Sequence, residues 1–170
     1  MKVSGIEIAK TKNNWLSEQI DVQYPTKESL AGRSLYLSTA AQSSVVPLDT
    51  AVSADIGLTS DDLFLVDFHR LTVMFALLQS KRWEQQSEQE LIVEFLTQII
   101  YSDPCTLYLA FKEGEPVGAA ILTQVDNQFL VSDVVLTQNQ TLANKHAFSL
   151  LLVNKLNVNL NEYSDVYLEI

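Results

Sequence analysis

The chain has 170 residues, 47% of them hydrophobic and 19% charged, which is enough to bury a core and too apolar for a disordered segment. Its 21 acidic and 11 basic side chains give a net charge of −10, and the bases are scattered along the chain, making nucleic acid a poor partner. No apolar run approaches the ~20 residues of a membrane span, and the polar start (Lys2, Ser4, Glu7, Lys10, Lys12) predicts no secretory signal. Cys105 is the one cysteine, so no internal disulfide or cysteine-cluster metal site forms, as suits a reducing cytoplasm. His69 and His146 stand too far apart to predict a paired-histidine metal site.

Residues 1–58 read as an N-terminal segment with short strands at the apolar runs 6–8, 34–37 and 44–48, packed on the domain that follows. Thr59 or Ser60, with Asp61 and Asp62 behind it, offers a helix cap. Phe64, Phe68, Leu71, Phe75 and Leu78 then recur at spacings of three and four, one face of a buried helix. On that helix His69 reads as a partly buried structural histidine, and Trp83 as packed beneath the link to the next helix. The scattered acids Asp49, Asp55, Asp61, Asp62 and Asp67 read as a solvated face. A second helix is expected over about 88–101, ended by Asp103-Pro104 because a residue before proline leaves the helical region.

Cys105 reads as a buried strand entry. Residues 106–111 and 117–125 form a hairpin about Gly114, and 128–136 return after Asp126-Asn127 as the third strand of an antiparallel meander. A helix at about 142–158 and an alternating strand at 165–170 complete the order. The expected class is α+β, a mostly antiparallel sheet flanked by helices.

Three stretches carry a resemblance. They are Leu107-Tyr108-Leu109-Ala110 with Glu113-Gly114-Glu115-Pro116-Val117-Gly118-Ala119-Ala120; Phe129-Leu130-Val131-Ser132-Asp133-Val134-Val135-Leu136; and Tyr163-Ser164-Asp165-Val166-Tyr167-Leu168-Glu169-Ile170. Over residues 59–170 they are similar to the hairpin, the strand before the cofactor loop and the strand after the cofactor helix of the GNAT superfamily of acyl-CoA-dependent N-acyltransferases. The resemblance implies that Asp133 is the general base and that strand amides near Val134 and Leu136 pair with the pantetheine arm of acetyl-CoA or another acyl-CoA. It further implies that Asn144, Lys145, His146, Ala147, Phe148 and Ser149 cradle the pyrophosphate at a helix N-terminus.

Two departures accompany it. Alanine and serine stand at 147 and 149 where the family has glycines, and no glycine follows Gly118, which excludes a Gly-rich phosphate loop of the usual form. The family continues past the 165–170 strand with elements not seen here. A cover for that strand is therefore expected from residues 1–60, the run 30–37 being one candidate, or from a second subunit as a homodimer or partner. Three functions fit: a GNAT-like domain that has lost catalysis and serves as a binding or regulatory module, retaining acyl-CoA binding or not; an active N-acetyltransferase; or an unrelated α+β interaction protein.

Overall fold

A computed structural model describes residues 3–157 and 165–170. In chain order the elements are α1 (Gly5–Glu18), α2 (Lys27–Ala40), β1 (Val45–Pro47), a 3-10 turn (Ser60–Asp62), β2 (Leu63–Leu65), α3 (His69–Ser80), α4 (Gln86–Leu96), β3 (Cys105–Lys112), β4 (Glu115–Val125), β5 (Gln128–Leu136), α5 (Leu142–Lys155) and β6 (Asp165–Glu169). The strands form one six-stranded sheet in the order β1-β6-β5-β4-β3-β2. Only β5 and β6 run parallel. The class is thus α+β with a mostly antiparallel, mixed sheet.

Residues 3–58 differ most from the sequence reading. The run 6–8 is helical, because Ser4 and Glu7 close a reciprocal capping box that starts α1. The run 34–37 lies inside α2, where the Thr26 hydroxyl caps the Ser29 amide. Helix α2 crosses α4 so closely at Gly32 that an added Cβ would lie 2.1 Å from the Leu91 carbonyl oxygen. A helix, not a strand, therefore occupies 30–37. The third run is a strand: β1 pairs antiparallel with β6 from Val45↔Glu169 to Pro47↔Tyr167, and Ser44 and Ile170 exchange both backbone hydrogen bonds. The cover for β6 thus comes from the chain's own first third.

The helix expected from residue 59 begins ten residues later. The Asp62 carboxylate accepts the Thr59 amide and closes a single 3-10 turn, after which 63–65 pair with Tyr108, Leu109 and Ala110 at the sheet edge. Phe64 sits edge-on to Phe111 at 5.7 Å, a cross-strand aromatic pair that holds the segment as β2. His69, at the true start of α3, is exposed, so it is not the structural histidine expected. Helix α4 stops at Leu96, since the amides of Ile100 and Tyr101 donate to the Gln19 side chain rather than to the helix. Val158 of the expected final helix, and Tyr163 and Ser164 of the third matching stretch, lie outside the described residues.

The meander forms as read. Strands β3, β4 and β5 are joined by tight turns in which Glu113, Gly114 and Asp126 adopt positive φ. One sheet face buries Trp15, Leu16, Tyr36, Phe75, Ile92 and Phe95 of α1–α4 against Leu107, Leu109, Ala119 and Ile121. The other buries Phe148, Leu152 and Val153 of α5 against Tyr108, Leu122, Val131 and Leu168. Trp83 is buried, its indole N–H on the Thr39 hydroxyl, and Cys105 is fully buried at the start of β3.

Candidate functional site

Parallel pairing of β5 with β6 runs from Gln128↔Asp165 to Val131↔Leu168 and then stops. Immediately beyond, the β4–β5 ladder slips: Ile121 opposes Ser132 and Ala119 opposes Val135. The extra residue is a bulge at Asp133, whose φ of 54 is left-handed. Its consequence is chemical. Ser132 and Asp133 both address the face that carries α1–α3, whereas strict alternation would send the Asp133 carboxylate toward α5.

Four side chains donate to that carboxylate. Lys12 of α1 reaches Oδ2 at 3.2 Å and the Ser132 hydroxyl reaches it at 2.7 Å; the Tyr36 hydroxyl of α2 and the Arg82 guanidinium reach Oδ1 at 2.8 and 2.7 Å. The Gln79 side chain donates to the Asp133 carbonyl at 2.6 Å. The Lys12 ammonium also donates to Tyr36 at 2.8 Å and to Glu169 of β6 at 2.5 Å. Lys12 is 0% exposed, while about a quarter of the Arg82 side chain (26%) reaches solvent. Two cations and two carboxylates, drawn from α1, the α3–α4 link, β5 and β6, thus close a charge-balanced network on the α1–α3 face of the sheet.

The electrostatics follow from this arrangement. Burial by itself would raise the Asp133 carboxyl, but Lys12 and Arg82, helped by Ser132 and Tyr36, outweigh it and hold the group well below the usual carboxylate range. Burial would lower Lys12, yet Asp133, Tyr36 and Glu169 together raise it. Burial, with Asp133 adding to it, keeps the Tyr36 phenol protonated far above its ordinary value. Glu169 stays above its ordinary value because burial and the Asp133 charge oppose the single ammonium it shares. A general base needs a raised pKa and a free lone pair facing substrate. Asp133 has neither.

Each residue implied by the resemblance has a definite position. Val134 and Leu136 are buried in β5. Because Thr137 donates to Val117 of β4, their backbone groups alternate toward the opposite side, the side on which β6 pairs with 128–131. Helix α5 begins one turn before residues 144–149: Thr141 caps the Asn144 amide, and the Lys145 amide already bonds the Thr141 carbonyl. At the start of α5 the amides of Leu142 and Ala143 have no hydrogen-bond acceptor among the described residues. His146 is buried, its Nδ1 accepting the Asp49 amide. Phe148 and Ser149 are fully buried, the Ser149 hydroxyl donating to the Lys145 carbonyl, and Ala147 is half-buried. Burial, then the Arg82 charge, lowers the Lys145 ammonium.

A cleft of about 440 Å³ opens at the end of β5, lined by Leu136, Asn139, Asn144, Val117, Lys112 and Asp55 among others. Whether acyl-CoA chemistry fits is decided at two places. At Asp133 the carboxylate is taken up on the α1–α3 face by Lys12, Tyr36, Arg82 and Ser132, which leaves it no free oxygen lone pair to offer a substrate. At the cleft the helix start is accessible but lacks a glycine cradle.

Lys12, Tyr36, Gln79, Arg82 and Glu169 were not singled out from sequence. One signal existed for Lys12: it lies four residues after Ile8 and four before Leu16, a cation on an apolar helical stripe. The bulge that brings Asp133 to it leaves no comparable trace.

No family model and no curated protein matches the chain. Among solved structures, a GCN5-related N-acetyltransferase from Kribbella flavida is similar at a TM-score of 0.45 and 13% identity, over 80% of this chain and 53% of that one. The chain therefore spans about half the length of that structure.

Proposed function

We propose that the chain is a GNAT-like domain that serves as a binding or regulatory module and not as a transferase. The observation carrying this reading is the Asp133 carboxylate, ionised and saturated by Lys12, Tyr36, Arg82 and Ser132 at the position where the resemblance puts a base. The bulge in β5 and the helix that follows it are the parts a GNAT-like cofactor site would use, and here charged side chains occupy the Asp133 carboxylate instead. A cytoplasmic setting belongs to the same proposal.

One observation favours a second reading, acyl-CoA binding without transfer: the cleft that reaches Asn144 at the start of α5, near the uncapped amides of Leu142 and Ala143, with Lys112 also in its lining. A thermal-shift titration with acetyl-CoA separates the readings. Binding at 100 times its dissociation constant adds about 2.7 kcal/mol of stability. The main reading expects no shift and no release of coenzyme A thiol in the presence of amines. A shift without thiol release establishes the second reading; a shift with sustained release overturns both.

A further inference from the structure

On the outer side of the helical layer, away from the sheet, α2, α3 and α4 enclose a groove of about 660 Å³. Beside it α2 meets α4 almost backbone to backbone, since Gly32 puts no Cβ between the helix and the Leu91 carbonyl. Leu77 of α3 lies in the groove half exposed (50%), with Leu91 and Val93 beside it. Glu28 of α2, one turn before Gly32, and Glu90 and Glu94, one turn apart on α4, stand along the rim. None of these three is paired with a base among the described residues. Lys81 is the one basic side chain in the lining.

We infer that this groove docks a basic amphipathic helix of a partner protein. The apolar floor takes the partner's anchor residues, and the carboxylates meet lysines or arginines beside them. The acids are spread along the rim: among the described residues no three metal-ligating side chains come together, so the arrangement fits several spaced charges and not one ion. Among the described residues the walls come from α2, α3, α4 and the Lys81 link and include no strand, which favours side-chain recognition of a helix over strand addition. The 21-to-11 excess of acids makes a second copy of this chain a poor electrostatic match, and it repels nucleic acid. The proposal goes beyond the preceding reading and stands whether or not acyl-CoA binds at the cleft.

The test is fluorescence anisotropy with a labelled helical peptide carrying leucines on one face and lysines on the other. Saturable binding is expected, weakened on the order of tenfold by Glu90→Lys with Glu94→Lys, and comparably by Leu77→Ser. Glu113→Lys with Glu115→Lys makes the same charge change at the exposed β3–β4 turn and is expected to leave affinity unaltered. Absence of saturable binding, equal loss in both charge-reversal pairs, or full affinity in Leu77→Ser each overturns the proposal. A chain that sediments as a dimer and is dissociated by Leu77→Ser also overturns it, assigning the groove to a second copy. Should the Glu90/Glu94 pair fail to fold by circular dichroism, the exposed Leu77→Ser decides alone.

Discussion

Lys12→Met isolates the ion network. Methionine fills nearly the same volume, so the change removes charge and donors without opening a large cavity. Asp133 keeps Arg82, Ser132 and the Tyr36 hydroxyl, and the Tyr36 hydroxyl keeps an acceptor. Glu169 loses the ammonium that its 2.5 Å contact supplies, and the cost falls there. Removing one partner of a buried pair typically costs about 3–5 kcal/mol, a large part of the roughly 5–15 kcal/mol that holds a domain folded. The deficit carries a pH signature. Burial already holds Glu169 above its ordinary value, and loss of Lys12 raises it further. A carboxyl whose folded pKa lies above its unfolded value, ~4.3, favours the folded state at low pH and loses that contribution as pH rises through the folded pKa. The variant's deficit is therefore largest near pH ~7 and narrows toward pH ~5. Trp15 and Trp83 are both buried, so their fluorescence reports urea unfolding directly. A deficit under about 1 kcal/mol at neutral pH, or one that does not narrow on acidification, refutes the claim that Glu169 depends on Lys12.

Asp133→Asn tests the other carboxylate: because its folded pKa is depressed, Asp133 contributes stability that is complete above its unfolded value of ~3.9 and lost as pH falls further, so the gap between variant and wild type should hold down to pH ~4 and close on acidification below it in urea titrations. Gly32→Ala forces α2 from α4, since its Cβ would meet Leu91 and Phe95 at 2.1 and 2.8 Å; a loss of about 1–3 kcal/mol and a lower melting temperature by circular dichroism are expected, and an unchanged one would contradict the close crossing. The Cys105 thiol, pushed up to about 12 by burial, should resist a thiol-specific chromophoric reagent until urea unfolds the chain; labelling of the native protein at the rate of an exposed thiol would show the β3 entry to be open.

The second half of the chain was legible because its turns are written in residues that demand them. Gly114 and the polar pairs around it and Asp126 fix two hairpins, and Phe75, Leu78, Phe148 and Leu152 keep helical spacing through buried faces. The first third was not. Its helices begin at Ser4 and Thr26, caps that need no apolar neighbour to announce them, and α2 carries only scattered buried residues, Ser29, Gly32 and Tyr36. Residues 63–65 satisfied the helical period and still became a strand, because β3 offered an unpaired edge and Phe111 a ring for Phe64. For the site, the strand that carries Asp133 was readable and its environment was not. A one-residue bulge decides which face Asp133 serves, and its distant partners arrive from 121, 97 and 51 residues away along the chain, at Lys12, Tyr36 and Arg82.

The pairing of Lys12 with Glu169 spans 157 positions, and that separation bears on how the chain is made. As synthesis proceeds, α1 leaves the ribosome with an ammonium on its apolar stripe and no anion to receive it; Asp133 follows 121 positions later and Glu169 later still. The β3–β4–β5 meander closes through local turns and α4 is there for α2 to pack on, but β1 can pair only after β6 exists, so that pairing and the Lys12–Glu169 contact carry the loop-closure cost of the longest contacts in the fold. Until α4 and the meander are made, α1 and α2 expose Trp15, Leu16, Ile20 and Tyr36, all buried at the end. A nascent chain arrested before the meander is complete is therefore a natural client for chaperones, and variants of the network should reduce yield in cells more than their equilibrium stabilities foretell.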